Sequence, residues 1–569
     1  MHLRRTLTTC LTVSALLTAA GCTPVDVQPD ADVIVVGGGI AGLAAALEAA
    51  DKGASVLVID VNSVGGGHAV KAGGFALVDT KLQRSKGIKD SADIAWRDLQ
   101  RWGEDADPYW TRRYAEESSS QVYDWLTGLG VMFTVVLDTP EDSVPRFHFT
   151  RGTATNVVVP MMRKALMNPR IAFVWNSRVT ELTRSAGAVI GVTTVNERNG
   201  EKSFYRAPAT ILATGGFQNN LDMVRGHWPE ALRQPAELKQ GAGQFATGDG
   251  YQLARSAGAK LQRMDRQVTF FQGIPDPRDA TGTRAIFGQN PAAIWLDHQG
   301  RRFVNESANS KEIAAAALQL EPMSFWMLFD NDGARKLNLR GALWLSRQSM
   351  RNEILNNPAI TLQANSLKEL AQKTGIPEQD MKASVQIWNR MLKVGDDYQF
   401  GRFTAAERPR GIDAINRPPY YALRTYPLTR KSMGGPAITT NGQVVNRRGA
   451  SIPGLYAAGE LTGVAGINGS HGGSGTFLGP AVLTGRIAGA SAAISSGMQM
   501  RMRSPATPTY PDEIPVYGQQ GYWHYDAVHQ LTSERAQTCD DCHADDMPMK
   551  MADRPAEMIT RLNTCTGCH

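Results

Sequence analysis

Cysteine is scarce in this sequence, with six residues in a chain of 569. Cys10 and Cys22 lie in the N-terminal segment, and the other four fall in two short C-terminal motifs, CDDCH (539–543) and CTGCH (565–569). No pair is left for a structural disulfide, so a fold stapled by disulfides is excluded. The cysteines are therefore expected to have chemical roles of their own.

A strong charge of one sign is also absent. Lys and Arg number 60 against 54 Asp and Glu, which leaves a net charge of +6, and no dense basic run occurs. Nucleic-acid binding needs such a run or a basic face, so no nucleic-acid partner is expected. The length exceeds what one hydrophobic core supports, and about two to four domains are predicted.

The N-terminus lacks an apolar run long enough to span a membrane. Its apolar stretch, LTVSALLTAA (11–20), is half the length that a spanning helix needs, and it follows the basic segment MHLRRTL. Residues 1–22 therefore form a predicted signal peptide. TAAGC, which ends at Cys22, resembles the lipobox of bacterial lipoproteins, where that cysteine is acylated; a plain secretory signal is the alternative. We expect an exported, periplasmic protein, anchored by lipid to a membrane of a Gram-negative-type cell.

Glycine, in contrast, is abundant at 56 residues and clusters in short motifs. VIVVGGGIAG (33–42) places Gly37, Gly39 and Gly42 after an apolar strand and at the start of a helix, and Asp60 ends the next strand. In this context Gly37 permits a tight turn, Gly39 lets the backbone approach a pyrophosphate, and Gly42 lets the helix pack on the strand. Asp60 would accept hydrogen bonds from ribose hydroxyls. The pattern predicts a dinucleotide site.

Further motifs follow in a recognisable order. They are VGGGHAVKAGGF (64–75), ILATGGF (211–217), ATGDGYQLARSAGAKL (246–261), GRRFVNE (300–306), RPPYYAL (417–423), SMGGPAITTNGQV (432–444) and IPGLYAAGELTG (452–463). Over residues 30–495 the chain resembles the flavoprotein family of fumarate reductase, succinate dehydrogenase and 3-ketosteroid dehydrogenases. The resemblance implies an α/β fold: a Rossmann-like FAD-binding domain (30–234 and 421–497), interrupted by an α+β capping domain (235–420).

The same resemblance implies the cofactor contacts. FAD would be bound non-covalently, with His68 packed on the flavin edge and Glu460 on the ribose or ribityl chain. GPAVLTGRIAG (479–489) would place a helix N-terminus at the flavin N1–C2=O edge, where reduced flavin carries negative charge. The residues assigned to FAD beyond the first motif are Gly66, Gly67, Gly73, Gly74, Val179, Gly215, Glu460, Val482 and Leu483.

The catalytic positions depart from the fumarate reductases. Those enzymes use an arginine proton donor shortly after RFVNE, where this chain has Ser310 and Lys311, and a histidine before MGG, where it has Lys431. Their H-P-T motif should fall near VTFFQG (268–273), which contains no histidine.

The segment GINGSHGGSGTFLGPA (466–481) instead resembles the ketosteroid dehydrogenases. There His471 and Gly475 occupy the positions of a tyrosine and a glycine that polarise the substrate carbonyl. His471, Gly475, Lys431, Arg430 and Tyr421 are the predicted catalytic residues. Other polar candidates are Tyr420, Arg424, Arg146, His148 and Arg151.

The C-terminal motifs have the spacing of c-type haem attachment sites. Cys539 and Cys542, and Cys565 and Cys568, would bond the porphyrin vinyls of two haems, with His543 and His569 on the irons. A zinc site formed by the same cysteines and histidines is the alternative. The sixth ligands would be His524 and His529, or methionines from Met547, Met549 and Met551. A proline-rich linker (498–522) precedes this dihaem module (523–569).

Together these patterns predict a flavocytochrome c. FAD would exchange a hydride with a C–C bond next to a carbonyl or carboxylate of a small-molecule substrate, and electrons would pass through two covalent haems. The redox partner would be a cytochrome or a membrane quinol oxidoreductase. A respiratory fumarate reductase and an electron-transfer lipoprotein without substrate chemistry are the alternatives.

Overall fold

The computed structural model describes residues 29–150, 155–340, 346–404, 406 and 411–497. The predicted signal peptide, linker and dihaem module lie outside these residues, as does Arg151. The haem-binding cysteines and histidines therefore stay predictions. Within the described ranges, no group of three or more His, Cys, Asp or Glu is placed to hold a metal ion. No helix in the same ranges is long and apolar enough to cross a membrane.

The chain alternates strands and helices and then changes to a strand-rich segment. The strands are β1 Val33–Val36, β2 Val56–Ile59, β3 Phe75–Ala76, β4 Phe133–Leu137, β5 Phe147–Thr150, β6 Ile171–Val174, β7 Ser177–Ser185, β8 Ala188–Asn196, β9 Lys202–Arg206, β10 Ala209–Leu212, β11 Lys239–Gln240, β12 Leu261–Gln262, β13 Gln267–Pro275, β14 Ala285–Gln289, β15 Ile294–Leu296, β16 Phe325–Phe329, β17 Asn338–Arg340, β18 Thr361–Ala364, β19 Tyr420–Ser432, β20 Gly435–Pro436, β21 Gln443–Val445 and β22 Ser451–Ala457. The α-helices are α1 Ile40–Asp51, α2 Lys81–Ser85, α3 Ala92–Gly103, α4 Pro108–Glu117, α5 Trp125–Gly128, α6 Thr155–Leu166, α7 Leu221–Gly226, α8 Asp249–Ser256, α9 Ser310–Ala317, α10 Asn331–Ala334, α11 Arg347–Met350, α12 Leu367–Thr374, α13 Glu378–Val394 and α14 Leu478–Ser495. Short 3₁₀-helices span Gly67–Lys71, Gly459–Thr462 and Val464–Gly466, and π-helical turns span Ser118–Asp124 and Arg351–Leu355.

A six-stranded sheet forms the centre of the first domain, in the order β21-β22-β10-β1-β2-β6. β1 pairs in parallel with β10 and β2, and only the edge pair β21-β22 is antiparallel. All four residues of β1 are buried, as expected for a parallel strand covered on both faces. Val33 and Val35 pack in the core formed with α1 and α14, and Ile34 and Val36 in the core formed with β7 and β8. This alternation confirms the predicted α/β fold.

Helix α14 packs closely along α1 because two of its residues have no side chain. A Cβ at Gly485 would lie 2.3 Å from the carbonyl oxygen of Ala41, and one at Gly489 would lie 2.2 Å from that of Ala45. The close approach holds the N-terminus of α14, at Leu478, near the end of β1 where α1 begins.

The strand-rich segment forms a second sheet, in the part of the chain predicted to be the capping domain. This sheet has the order β15-β16-β19-β13-β14-β17, and β11 and β18 also pair with β19. The long β19 crosses the predicted boundary at residue 420 and carries this sheet to Ser432, whose N–H donates to Oε1 of Glu460 at 3.0 Å. β19 therefore begins in the second sheet and ends beside Glu460 of the first domain. The predicted domain boundaries stay a prediction.

Candidate active site

One cavity of about 1290 Å³, part of it open to solvent, lies at the ends of β1 and β2 and reaches Lys431 near the end of β19. The β1–α1 turn, the end of β2, the 3₁₀-helix Gly67–Lys71 and the loop 243–246 form its walls. Of the glycines and acids predicted to bind FAD, the cavity is lined by Gly37, Gly39, Gly66, Gly67, Gly215, Asp60 and Glu460, together with Val179.

The three glycines of the first motif have separate tasks. Gly37 has a φ of +104°, and a Cβ there would lie 2.5 Å from the carbonyl oxygen of Ala213. A Cβ at Gly42 would lie 1.8 Å from the carbonyl oxygen of Gly37, so this glycine lets α1 pack under the turn. A Cβ at Gly39 would have no atom nearer than 4.0 Å, so space for a ligand remains at the helix N-terminus. A pyrophosphate fits this position.

Asp60 marks one end of the cavity. Its carboxylate accepts N–H groups from Gly38 at 2.5 Å and Asn62 at 2.7 Å. Burial raises the pKa of Asp60 to about 6, although these two hydrogen bonds act against the rise. An acid at the end of the second strand binds the adenosine ribose in dinucleotide folds, so the adenosine half of FAD would lie here.

Another part of the cavity wall contains a buried acid–base pair. His68 Nδ1 lies 3.5 Å from Oε2 of Glu460, and both residues line the cavity. Burial lowers the pKa of His68 to about 4, which leaves the imidazole neutral at pH 7. Burial raises the pKa of Glu460, but the hydrogen bond from His68 and nearby positive charge outweigh it and hold the pKa below its ordinary value. The pair therefore carries one negative charge.

Lys431 brings a cation to this same part of the wall. It lines the cavity, and its Nζ lies 4.0 Å from the ring centroid of Phe477, the residue before α14. Burial lowers the pKa of Lys431 to about 8, with Glu460 acting to raise it and Arg430 to lower it further. The ammonium thus stands where the ring of the predicted FAD and a substrate would meet.

The other predicted catalytic residues lie outside the cavity wall. Arg430 is buried and donates to the carbonyl oxygens of Gly241 at 2.8 Å and Lys71 at 3.0 Å, so it ties the capping domain to the 3₁₀-helix. Tyr421 is buried in the capping-domain core, where its ring stacks on Phe329. The structure does not bring Tyr421 to the cavity.

His471 lies at the junction of the two domains. Its Nε2 is 3.3 Å from Oε1 of Glu104, and Nζ of Lys311, from the first turn of α9, is 2.9 Å from the same oxygen. Gly475 holds the loop after His471 in place: its carbonyl oxygen accepts from Ala76 N–H at 3.0 Å, and a Cβ there would lie 2.4 Å from that nitrogen. Neither residue lines the cavity, and their catalytic roles stay predictions.

Four residues assigned to FAD by resemblance serve the packing around the cavity. A Cβ at Gly73 would lie 3.1 Å from the ring of Phe149, and one at Gly74 would lie 2.5 Å from the carbonyl oxygen of His148. Val482 and Leu483 are buried side chains of α14. None of the four lines the cavity.

Two basic candidates, Arg146 and His148, belong to the protein core. Arg146 is buried and paired with Asp90, Asp98 and Asp142. His148 is also buried, with its ring nitrogens 2.7 Å from Oγ1 of Thr80 and 2.7 Å from the carbonyl oxygen of Arg146. These contacts leave neither residue free to clamp a substrate.

His148 makes the stability of the protein depend on pH. Burial lowers its folded-state pKa to about 4, below the 6.5 of an ordinary histidine, so the unfolded chain binds a proton more readily. Stability should therefore fall as pH drops through this window, and this one group should lower the melting temperature by about 2–3 °C. In His148→Gln we expect a shallower fall. Melting temperatures of the FAD-free proteins between pH 7 and 4.5 measure this dependence. His227→Gln, at a less buried histidine, is the control. An equal fall in melting temperature for the wild type and His148→Gln would contradict the expectation.

The residues present fit FAD. Two buried polar atoms of the cavity wall, Nε2 of His68 and Oγ1 of Thr214, have no hydrogen-bond partner in the described part of the chain. Gly215 has a φ of +75°, and a Cβ there would meet nothing within 4 Å. A ligand with polar groups at both places satisfies these atoms, as buried polar atoms require.

The sequence patterns missed several residues of this wall. Phe477, Thr214, Arg178 and the loop 243–246 all line the cavity. Thr214 lies inside the ILATGGF motif and could have been found there. Phe477 could not, because its place depends on the packing of α14 against α1, which lies far earlier in the chain.

Comparisons with known proteins agree with this geometry. A family model described as "FAD binding domain" matches residues 32–478. The chain is 31% identical over 466 residues to an NADH:fumarate oxidoreductase of Klebsiella pneumoniae. This alignment covers 81% of this chain and 47% of that protein. The chain thus spans about half the length of that curated relative. It is 30% identical over 556 residues to a KsdD-like steroid dehydrogenase of Mycobacterium tuberculosis, covering 81% of this chain and 96% of the relative.

A solved structure gives the same result for the fold. The open conformation of a flavocytochrome c3 fumarate reductase superposes with a TM-score of 0.68 and 27% sequence identity. The match covers 82% of this chain and 79% of that one.

Proposed function

We propose that the chain, which belongs to the FAD binding domain family over residues 32–478, is an exported flavocytochrome c. The haems are proposed from the CDDCH and CTGCH motifs and the export from the N-terminal segment. Its relatives are FAD-dependent oxidoreductases acting on C–C bonds, fumarate reductases and steroid dehydrogenases. In the proposed reaction a hydride is exchanged with a C–C bond adjacent to a carbonyl or carboxylate. The electrons pass one at a time through two c-type haems to or from a redox partner.

The position of Lys431 in the cavity wall is the observation that best supports the proposed hydride reaction. Lys431 lines the cavity, and its ammonium lies near Glu460 and over the ring of Phe477, which also lines the cavity. Negative charge develops on a carbonyl or carboxylate oxygen when a hydride adds to the neighbouring C=C bond. A positioned cation in a site with little water stabilises that charge.

The chain's own residues bind and orient the cofactor. The N-terminus of α1 would hold the pyrophosphate, Asp60 the adenosine ribose and Glu460 the ribityl side, with the N-terminus of α14 at the ring. Bound FAD supplies the hydride chemistry. Arg430 fastens the loop that begins at Gly241 over His68, which closes the cavity on the capping side.

Attachment of two haems rests on the CDDCH and CTGCH motifs of the tail. We expect a Cys539→Ser/Cys542→Ser double variant and a Cys565→Ser/Cys568→Ser double variant each to lose one of two haems, because thioether bonds need both thiols. The pyridine haemochrome of protein from a host that attaches c-haem counts the haems, and FAD content is the internal control. Full haem content in either variant would refute c-type attachment at that motif.

Export and lipid anchoring rest on the N-terminal segment. Metabolic labelling with an alkyne fatty acid should label the wild-type protein but not a Cys22→Ser variant if Cys22 carries the lipid. A wild-type protein that is unlabelled but found in the membrane fraction would instead support a protein partner, such as a quinol oxidoreductase, as the anchor.

The substrate class is tested on the full haem-loaded protein. Dithionite-reduced protein is mixed anaerobically with fumarate, a panel of other enoates and 3-ketosteroid Δ1 products, while the haem α-band is followed. We expect reoxidation by a non-fumarate enoate or enone. Rapid reoxidation by fumarate would restore the respiratory fumarate reductase, and no reoxidation by any compound would favour an electron-transfer lipoprotein or an enzyme that works only as a dehydrogenase.

A further inference from the structure

Lys431 belongs to the group of cavity-lining residues around Glu460. Asp60 and Val179 line the end where the adenosine half would bind, and Gly39 marks the pyrophosphate between the two ends. His68, Glu460 and Phe477 would then be the residues beside the cofactor ring. Lys431 belongs to this group and not to the adenosine end.

Lys431 differs from the other cation of the cavity wall. Arg178 also lines the cavity, but its guanidinium is paired with Asp249 and Glu197. The ammonium of Lys431 has no hydrogen-bond acceptor within the described residues, and its neighbour is the ring of Phe477. It is thus free to interact with whatever occupies the ring end.

The charged and titratable groups around Lys431 are fixed by other partners. Glu460 accepts from Ser432 N–H and lies beside Nδ1 of His68. Arg430 donates to two backbone carbonyls. His68 is held neutral by burial, and its pKa lies near 4. Among these groups Lys431 alone combines freedom from a hydrogen-bond partner with a proton that it can lose near neutral pH.

Two other groups with protons to donate are engaged elsewhere. Lys311 and His471 both contact the same oxygen of Glu104 at the domain junction. Neither lines the cavity.

We propose that the ammonium of Lys431 is the proton donor of the reaction, delivering its proton to the substrate carbon next to the carbonyl or carboxylate. The inference rests on the proposed function. The hydride, with both electrons, adds to the β carbon as the π bond breaks. The resulting charge on the activating group collapses to form the C–H bond at the α carbon with the Lys431 proton. Lys431 becomes a neutral amine and regains a proton from water, so the substrate gains one hydride and one proton in total.

The pKa of Lys431, lowered by burial to about 8, supports the assignment because a general acid works best near the operating pH. In the reducing direction the rate should be level below this pKa and fall above it, since the donor must be protonated. In the oxidising direction the same side chain is the base, so the rate should rise toward this pKa.

The test compares Lys431→Gln, Lys431→Arg and Lys431→His in the full haem-loaded protein, with Lys81→Gln, an exposed lysine, as matched control. Arginine keeps the charge but binds its proton far more tightly than lysine, so Lys431→Arg should lose the fall in rate above the lysine pKa if this side chain donates the proton. We expect the Gln variant to keep FAD, to bind the saturated product within a few-fold, and to lose reduction by about 100-fold or more. Lys431→His should recover part of the rate, and its rate should begin to fall at a lower pH than that of the wild type.

Deuterium labelling gives a second measurement. Wild-type product formed in D₂O should carry deuterium on one face of the α carbon, whereas residual product from Lys431→Gln should be labelled on both faces. A near-normal rate in Lys431→Gln, or an unchanged alkaline fall in rate in Lys431→Arg, overturns the inference and leaves the proposed function intact. A changed flavin reduction potential in Lys431→Gln, with stereospecific labelling retained, overturns it in favour of contact with the flavin. A wild-type protein that no compound of the panel oxidises overturns the proposed function, and this inference with it.

Discussion

Arg302→Ala is expected to lower the free energy of unfolding of the capping domain by about 3–5 kcal/mol. The Arg302 side chain is 1% exposed and makes hydrogen bonds with Glu306 at 2.7 and 2.8 Å and with Asp397 at 2.9 and 3.1 Å. Its guanidinium also lies 4.9 Å from the ring centroid of Trp388. Removal of the arginine leaves two buried carboxylates with much less compensation, and this desolvated charge is the cause of the loss.

The neighbouring Arg301 provides a matched control. Its side chain is 67% exposed and forms a single surface ion pair with Asp297 at 3.4 Å, so Arg301→Ala should change stability by less than about 1 kcal/mol. Urea unfolding followed by hydrogen exchange of α13 measures both variants. Equal effects of the two substitutions would show that the buried network does not stabilise the domain.

Gly42→Ala is expected to abolish FAD binding, with at least a roughly 100-fold rise in Kd. The new Cβ would lie 1.8 Å from the carbonyl oxygen of Gly37 and 3.3 Å from Cγ1 of Val35. The obstacle is backbone, so the β1–α1 turn must shift, and the N-terminus of α1 moves away from the pyrophosphate position. The protein should be isolated with haem but without flavin.

Gly226→Ala is the control for this substitution. Gly226 ends α7, and a Cβ there would meet nothing within 4 Å. The ratio of flavin to haem absorbance and a titration of the FAD-free protein with FAD compare the two variants. Normal FAD content in Gly42→Ala would mean that the turn tolerates the side chain and that the motif does not hold the cofactor.

The sequence by itself determined the dinucleotide site. Gly37, Gly39, Gly42 and Asp60 lie close together in the chain, and their roles follow from one strand, one turn and one helix. Gly215 and Glu460 were also predicted, and both line the cavity. Such short motifs carry their geometry locally. The two haem motifs likewise depend on sequence alone, since they lie outside the described residues.

Only the tertiary structure decided which polar residues face the cavity. Lys431, Arg430 and Tyr421 are close together on one strand, yet Lys431 lines the cavity, Arg430 bonds two backbone carbonyls, and Tyr421 lies in a core. Successive side chains point to opposite faces of a strand, which separates Lys431 from Arg430. The strand that pairs with β19 also changes along its length, from β16 beside Tyr421 to β13 beside Lys431. Which surroundings a residue meets is therefore set by packing between segments far apart in the chain, and no local pattern contains that information.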